Sequence, residues 1–259
     1  MLVTHKLPWD KCLSHQLMPA IEKGWKDEDK SIHFFWGLAG KNIHDITMCE
    51  AQGEEWWYVD NGYMTQQITR YPEPIIHDYD KTYFRICKGS IHTTKLKECD
   101  SKRLNTEFKG WQSGEHLLVC PSSPTVTFHI NGISQEEWIN KTINEIKNYT
   151  DRPIKIRNKP RPGNEWWDTN ILDDLKGTHC LVTNMSLAAV DAIINGVPCI
   201  TDKKNVANFV SSQDISKINS PLKPNNNEIN KWMRMLSHNQ FTIREIEDGI
   251  AFKVLQEQI

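Results

Sequence analysis

The residues whose types and spacing best suit chemistry lie in Thr183-Asn184-Met185-Ser186-Leu187-Ala188-Ala189-Val190-Asp191. An apolar run ending at Thr183 reads as a strand, and the small and polar residues behind it read as the start of a helix. Such a start presents free backbone N–H groups and the positive end of the helix dipole, both suited to a phosphate. Asp191 follows about one and a half turns later, within reach of a ribose attached to that phosphate. The same residues also describe an ordinary helix–strand pair with Asn184 or Ser186 as N-cap. A second group is basic: Lys155, Arg157, Lys159 and Arg161 alternate, so in an extended segment they share one face. At the carboxyl end of a strand, Arg157 and Lys159 would meet a diphosphate without help from a metal. A solvated charged edge that discourages aggregation, or contact with a nucleic-acid backbone, fits the same alternation. In Pro121-Ser122-Ser123-Pro124, the hydroxyls and N–H groups of Ser122 and Ser123 would face that crevice, unless the segment is only a turn.

These residues need elements to hold them. Residues 115–120 read as a buried strand stopped at Pro121. Ser134-x-x-Glu137 is a capping box, opening a helix to about Tyr149 with Trp138, Ile139, Thr142, Ile143 and Ile146 on one face. A second strand at 154–157, a short helix at 171–176, a third strand at 179–183, a helix at 186–195 and a fourth strand at 197–201 follow. Gly196 sits where a left-handed helix end is expected. Strand and helix in alternation predict parallel α/β sheets with flanking helices and right-handed crossovers. The first hundred residues are less regular, with strands expected at 32–37, 56–60 and 83–87 and a helix at 42–52. Residues 95–114 read as a polar linker, and the tail from Asn226 as two helices, the second opened by Thr242-x-x-Glu245. Two domains follow, 1–110 and 111–259.

The segment 183–200, a small-residue helix, then Asp191, then Gly196-Val197-Pro198-Cys199-Ile200, resembles the donor-binding half of the GT-B glycosyltransferases and the related nucleotide-sugar epimerases. In that superfamily an acidic residue before the Gly-Val-Pro turn often holds the ribose hydroxyls. Asp191 matches that position, an aspartate where glutamate is commoner. The resemblance extends over 115–259 as architecture, and its specific motif is 183–200. It implies two Rossmann-like domains facing a cleft, with a nucleotide-sugar donor such as a UDP-sugar held by Ser122, Ser123, Arg157, Lys159, Asn184, Ser186 and Asp191. No resident cofactor and no metal are expected. Sugar transfer needs a base for the acceptor hydroxyl, to be supplied by the first half. Asp60 leads, at the end of Trp56-Trp57-Tyr58-Val59 and before Asn61-Gly62, although an Asp-Asn-Gly turn explains it equally well. His44, Asp45 and His92 stand behind it, while His33 and His77 have no supporting context. Arg85 and His92 are expected to hold the acceptor. The chain is short for this fold. Compact versions occur among bacteriophage enzymes of similar Asn/Lys/Ile-rich composition, and such enzymes often decorate hydroxymethylated pyrimidines in DNA. The implied reading is thus a hexosyltransferase acting on 5-hydroxymethylpyrimidine in double-stranded DNA, in the host cytoplasm. A surface-polysaccharide glycosyltransferase, a nucleotide-sugar epimerase and a non-catalytic nucleotide- or DNA-binding protein are the alternatives.

Composition narrows the classes. With 259 residues, 31 Lys+Arg against 33 Asp+Glu and ten tryptophans, the chain suits one or two globular domains rather than a coiled coil or a disordered tail. No apolar run approaches the roughly 18–20 residues of a transmembrane helix. Met1–Lys6 shows no signal-peptide pattern, and seven cysteines without a CxxC give little support to a disulfide framework or a zinc knuckle. A reduced, cytosolic protein is expected. The sequence lacks GxxxxGK[ST], GxGxxG, HExxH and GxSxG, so P-loop, dehydrogenase, zinc-protease and serine-hydrolase chemistries have no motif behind them.

Overall fold

A computed structural model describes residues 1–8, 12–26, 31–64, 80–93, 96, 106–161 and 163–257. In chain order its first elements are β1 (Leu2–His5), α1 (Ser14–Gly24), β2 (Ile32–Trp36), α2 (Asn42–Gln52), β3 (Glu55–Asn61) and β4 (Tyr83–Lys88). Next come β5 (His116–Val119), α3 (Pro124–Asn131), α4 (Gln135–Ile146), β6 (Ile154–Ile156), α5 (Ile171–Asp174), β7 (Thr178–Thr183), α6 (Ala188–Ile194) and β8 (Cys199–Thr201). The last are α7 (Asn226–His238), β9 (Phe241–Thr242), α8 (Ile243–Glu247) and α9 (Ile250–Gln256). The chain divides into two compact units: Met1–Arg103 with Arg234–Ile259, and Leu104–Met233.

The first unit is built on a five-stranded sheet of order β1-β2-β3-β4-β9. Strands β1, β2 and β3 are parallel, whereas β4 is antiparallel to both β3 and β9. The expectation of parallel sheets therefore fails at β4, where Asp60 lies opposite Arg85 and Val59 opposite Ile86, a favourable charged and a favourable apolar cross-strand pair. Side chains alternate along each strand. Ile32, Phe34, Trp57, Val59, Phe84 and Ile86 face a dry core completed by Leu17, Met18 and Ile21 of α1 and by Phe241, Ile243, Ile246 and Leu255 of the tail. The intervening residues His33, Phe35, Tyr58, Asp60, Arg85 and Cys87 fall on the other face.

The tail was expected to stay with the second half. Instead β9 pairs with β4, and α8 packs against α1. Its apolar residues fill the first unit's core, which is why the chain returns there. At Gly24 a Cβ would stand 1.7 Å from the Ile246 carbonyl oxygen, so α1 and α8 meet backbone to backbone. The expected capping box is present: Thr242 N–H donates to Glu245 Oε2 at 2.9 Å, and Glu245 N–H to Thr242 Oγ1 at 3.2 Å.

The second unit carries a four-stranded, all-parallel sheet of order β6-β5-β7-β8. Leu117, Val119, Cys180, Val182 and Ile200 form its core with Ile146 and Ile218. The chain leaves β5 for β6 on one side and then crosses back to β7 on the other, so the winding reverses between β5 and β7. The expected strands are present with ends shifted by two residues or fewer. Three features differ. An unexpected helix, α3, begins directly at Pro124, because Ser123 accepts the Val126 N–H and a proline suits the first helical position. Helix α6 starts at Ala188, two residues later than expected. Part of the expected linker belongs to this unit: Lys109 N–H donates to Ile194 O at 3.0 Å and Gln112 N–H to Gly196 O at 2.7 Å, strapping 109–112 across the end of α6. Gly196, at φ +83°, is left-handed as expected, and a Cβ there would stand 1.9 Å from Gly110 O. Among the described residues, no helix is long and apolar enough to cross a membrane.

Candidate functional site

Open α/β sheets bind ligands beyond the carboxyl ends of their strands, where the winding reverses. In the second unit that place lies after β5 and β7, at Cys120–Ser123 and Asn184–Ser186. The two loops are tied to each other. Ser122 N–H donates to Asn184 Oδ1 at 2.9 Å, and Met185 N–H donates to Ser122 Oγ at 3.0 Å. Asn184 Nδ2 donates to Asn131 Oδ1 at 2.9 Å, Asn205 Nδ2 to the Asn184 carbonyl at 2.9 Å, and Gln135 Nε2 to the Ser122 carbonyl at 2.5 Å. Ser122 and Asn184 are thus brought together as expected, but they are buried and spent on each other. They shape the loop ends rather than face outward. Ser123 and Ser186 are half-buried and remain at the surface of this polar rim. The participation of Asn131, Gln135 and Asn205 had no sequence signal, because the three come from distant positions.

Asp191 lies in the first turn of α6 and is half-buried. Burial pushes its carboxyl up to about 7. It lies close enough to Cys120, at the end of β5, to act on that thiol electrostatically together with Arg157 and Asp174, while burial pushes the thiol up to about 12. A carboxyl shifted this far by burial is a common mark of a binding or catalytic site.

The alternating basic face is broken. Strand β6 ends at Ile156, and Arg157 turns inward, 5% exposed, while Lys155, Lys159 and Arg161 lie outside. Its guanidinium is held by Asp174 and donates to Thr169 Oγ1 at 2.9 Å, so its charge is already neutralised within the unit. Next to it, the buried Asn158 Oδ1 has no hydrogen-bond partner among the described residues.

In the first unit, Asp60 and Arg85 form one network. Arg85 Nη2 lies 3.1 Å from Asp60 Oδ2, Tyr58 OH donates to the same oxygen at 2.6 Å, and Asn61 N–H donates to Oδ1 at 2.8 Å. Arg85 also donates from Nε to Ile91 O at 3.1 Å and from Nη1 to Asn61 O. It lies over the Tyr58 and Tyr63 rings, 5.2 and 5.7 Å from their centroids. Burial works against its charge, but Asp60 and the tyrosines outweigh it and hold the guanidinium above its usual range. Burial raises both tyrosine hydroxyls, and pushes the Cys87 thiol up to about 11. His92 stacks on Tyr63 at 6.0 Å. Arg85 and His92, expected to hold the acceptor, are 5% and 1% exposed and pack against the Tyr58 and Tyr63 rings. Asp60 lies within β3 rather than in a turn, and its carboxylate already accepts from three donors.

The second unit is thus of the doubly wound α/β class, with a polar rim of tied loops at its switch point. No family model matches the chain, and no curated protein matches it. Among solved structures it is similar to the KpsC β-Kdo 2,7-transferase of Thermosulfurimonas dismutans, 11% identical, with 97% of this chain and 99% of that chain covered and a TM-score of 0.45.

Proposed function

We propose that the chain is a glycosyltransferase whose second unit binds a nucleotide-sugar donor at the β5/β7 switch point. The observation that supports this most is Asp191: a carboxyl that burial holds up to about 7, in the first turn of the helix after β7 and near Cys120 at the end of β5. A carboxylate so placed is stabilised by accepting from the two hydroxyls of a ribose. The exposed Lys159 and Arg161 of the loop after β6 are assigned to the diphosphate, so that this reading needs no metal there. Ser122, Asn184 and Arg157 act as positioning residues. The acceptor we propose is 5-hydroxymethylpyrimidine in DNA, which rests on the resemblance of the sequence.

A second reading, a nucleotide-binding protein without transfer, is favoured by Asp60. Its two oxygens are engaged by Tyr58, Arg85 and Asn61, which suits an anchor better than a base. Calorimetric titration with UDP-glucose and UDP, followed by transfer assays on hydroxymethylated and unmodified DNA, separates the readings. Donor binding in the wild type that weakens about tenfold or more in Asp191→Asn is expected, with label appearing only in hydroxymethylated DNA. Binding without transfer selects the second reading, and no binding of either nucleotide overturns both.

A further inference from the structure

His33 stands at the centre of a cluster built by β2, α2 and the turn that follows α2 in the first unit. It lies on β2, and the helix that follows supplies Cys49. Helix α2 ends in Gly53 at φ +69°, and Glu54 N–H folds back to Cys49 O at 2.9 Å while Gly53 N–H reaches Glu50 O at 3.3 Å. This is a Schellman end, and it returns Glu54 to the side of the residue five positions before it. As a result the Cys49 thiol, a ring nitrogen of His33 and a carboxylate oxygen of Glu54 all lie within 4.8 Å of one another. His33 Nε2 is 3.4 Å from Glu54 Oε2 and 3.4 Å from Ser31 Oγ. Ligands of one tetrahedral zinc ion, bound at about 2.0–2.3 Å, stand about 3.3–3.8 Å apart, so small side-chain rotations suffice.

The partners of His33 point the same way. His33 Nδ1, the nitrogen facing away from Glu54, is 3.0 Å from His5 Nε2 on β1. His5 Nδ1 in turn lies 3.6 Å from Asp45 Oδ2 on α2. A histidine ligand typically has its far nitrogen held by such a partner, which fixes its tautomer and ring orientation. The rings are also fixed by stacking, with His5 3.9 Å from Phe35 and 5.3 Å from His33. Access comes through Glu54, whose side chain is 37% exposed, while Cys49 is 3% exposed.

We propose that Cys49, His33 and Glu54 form a binding site for a borderline divalent transition-metal ion, Zn²⁺ foremost, with a fourth position left to water or a ligand. A sulfur, an imidazole and one carboxylate oxygen suit Zn²⁺ over Mg²⁺ or Ca²⁺, which take all-oxygen sets. Binding displaces the thiol proton to solvent. The site stands independently of the donor reading, because it uses no residue of the second unit.

The test uses the full chain, stripped with a chelator and titrated with ZnCl₂ and then with CoCl₂. One equivalent of Zn²⁺ per chain is expected, and the Co²⁺ adduct should show a thiolate-to-metal charge-transfer band that Cys49→Ser abolishes. Glu54→Gln, a change at the surface that leaves the helix end intact, should weaken Zn²⁺ binding about tenfold or more even if the cysteine variant does not fold. His5→Gln should weaken it by about 10–100-fold through His33. Absence of stoichiometric binding, or a charge-transfer band that survives in folded Cys49→Ser, overturns the proposal. So does undiminished Zn²⁺ binding by Glu54→Gln.

Discussion

Asp191 is held by the fold in a state it would leave if exposed. Its carboxyl sits at about 7 against an ordinary 3.8. The folded chain therefore prefers the proton more strongly than the unfolded chain does. Stability from this group is fully present below about pH 4 and is lost as pH rises through 7. Asp191→Asn keeps the shape and removes the charge. Thermal melts should show the variant equal to the wild type near pH 4 and more stable at pH 8, by on the order of 2–4 kcal/mol. A wild type that matches the variant at pH 8 would mean the carboxyl is better solvated than its position suggests. Asp60 matters through its partner Arg85, which is buried and cannot leave. Asp60→Ala strands that guanidinium and should cost about 3–5 kcal/mol in urea unfolding. A loss below about 1 kcal/mol would show that Tyr58, Asn61 O and Ile91 O hold the arginine without it.

Between elements, Gly24 lies so close to the Ile246 carbonyl that an added Cβ would stand 1.7 Å from its oxygen. Gly24→Ala forces α1 away from α8 and should destabilise the first unit by roughly 1–3 kcal/mol or more. The variant should expose the tail to limited proteolysis, and unchanged cleavage at 240–257 would refute the contact. What the sequence made legible at this scale follows the strength of local signals. Helix α2 was expected at the bounds it has, and β7 within one residue, because an apolar run and a helical pattern each stand alone. The box at Thr242 was legible because both of its bonds are local. Helix α3 was not, since Ser123-Pro124 marks a helix start and a turn equally. The rim at Ser122 and Asn184 was legible as a place but not as a network, because its bonds span 13 to 63 residues of chain. The Cys49–Glu54 pair was hidden for a different reason: its spacing of five means little until Gly53 turns the chain back.

For the chain as a whole, the decisive fact is that the first unit is discontinuous. Strand β9 and helices α8 and α9 lie more than a hundred residues from β4, yet they contribute Phe241, Ile243, Ile246, Ala251 and Leu255 to the core beneath it. No composition shift announces this return, which is why the sequence reading assigned the tail to its nearer neighbour. The consequence is an asymmetry between the units. Residues 104–233 have their own sheet and core, and all four of their strands pair with one another. A fragment of 104–233 should therefore unfold cooperatively in urea. Residues 1–103 lack the tail's apolar side chains, each of which contributes about 1.5–3 kcal/mol when fully buried. Against a typical domain stability of about 5–15 kcal/mol, losing several of them is decisive. A chain cut after residue 233 should keep the second unit's transition and lose the first's, and adding a peptide of 234–257 should restore it. Two intact transitions in the truncated chain would mean that the sheet β1-β2-β3-β4 with α1 suffices, and that the tail covers a core already stable without it.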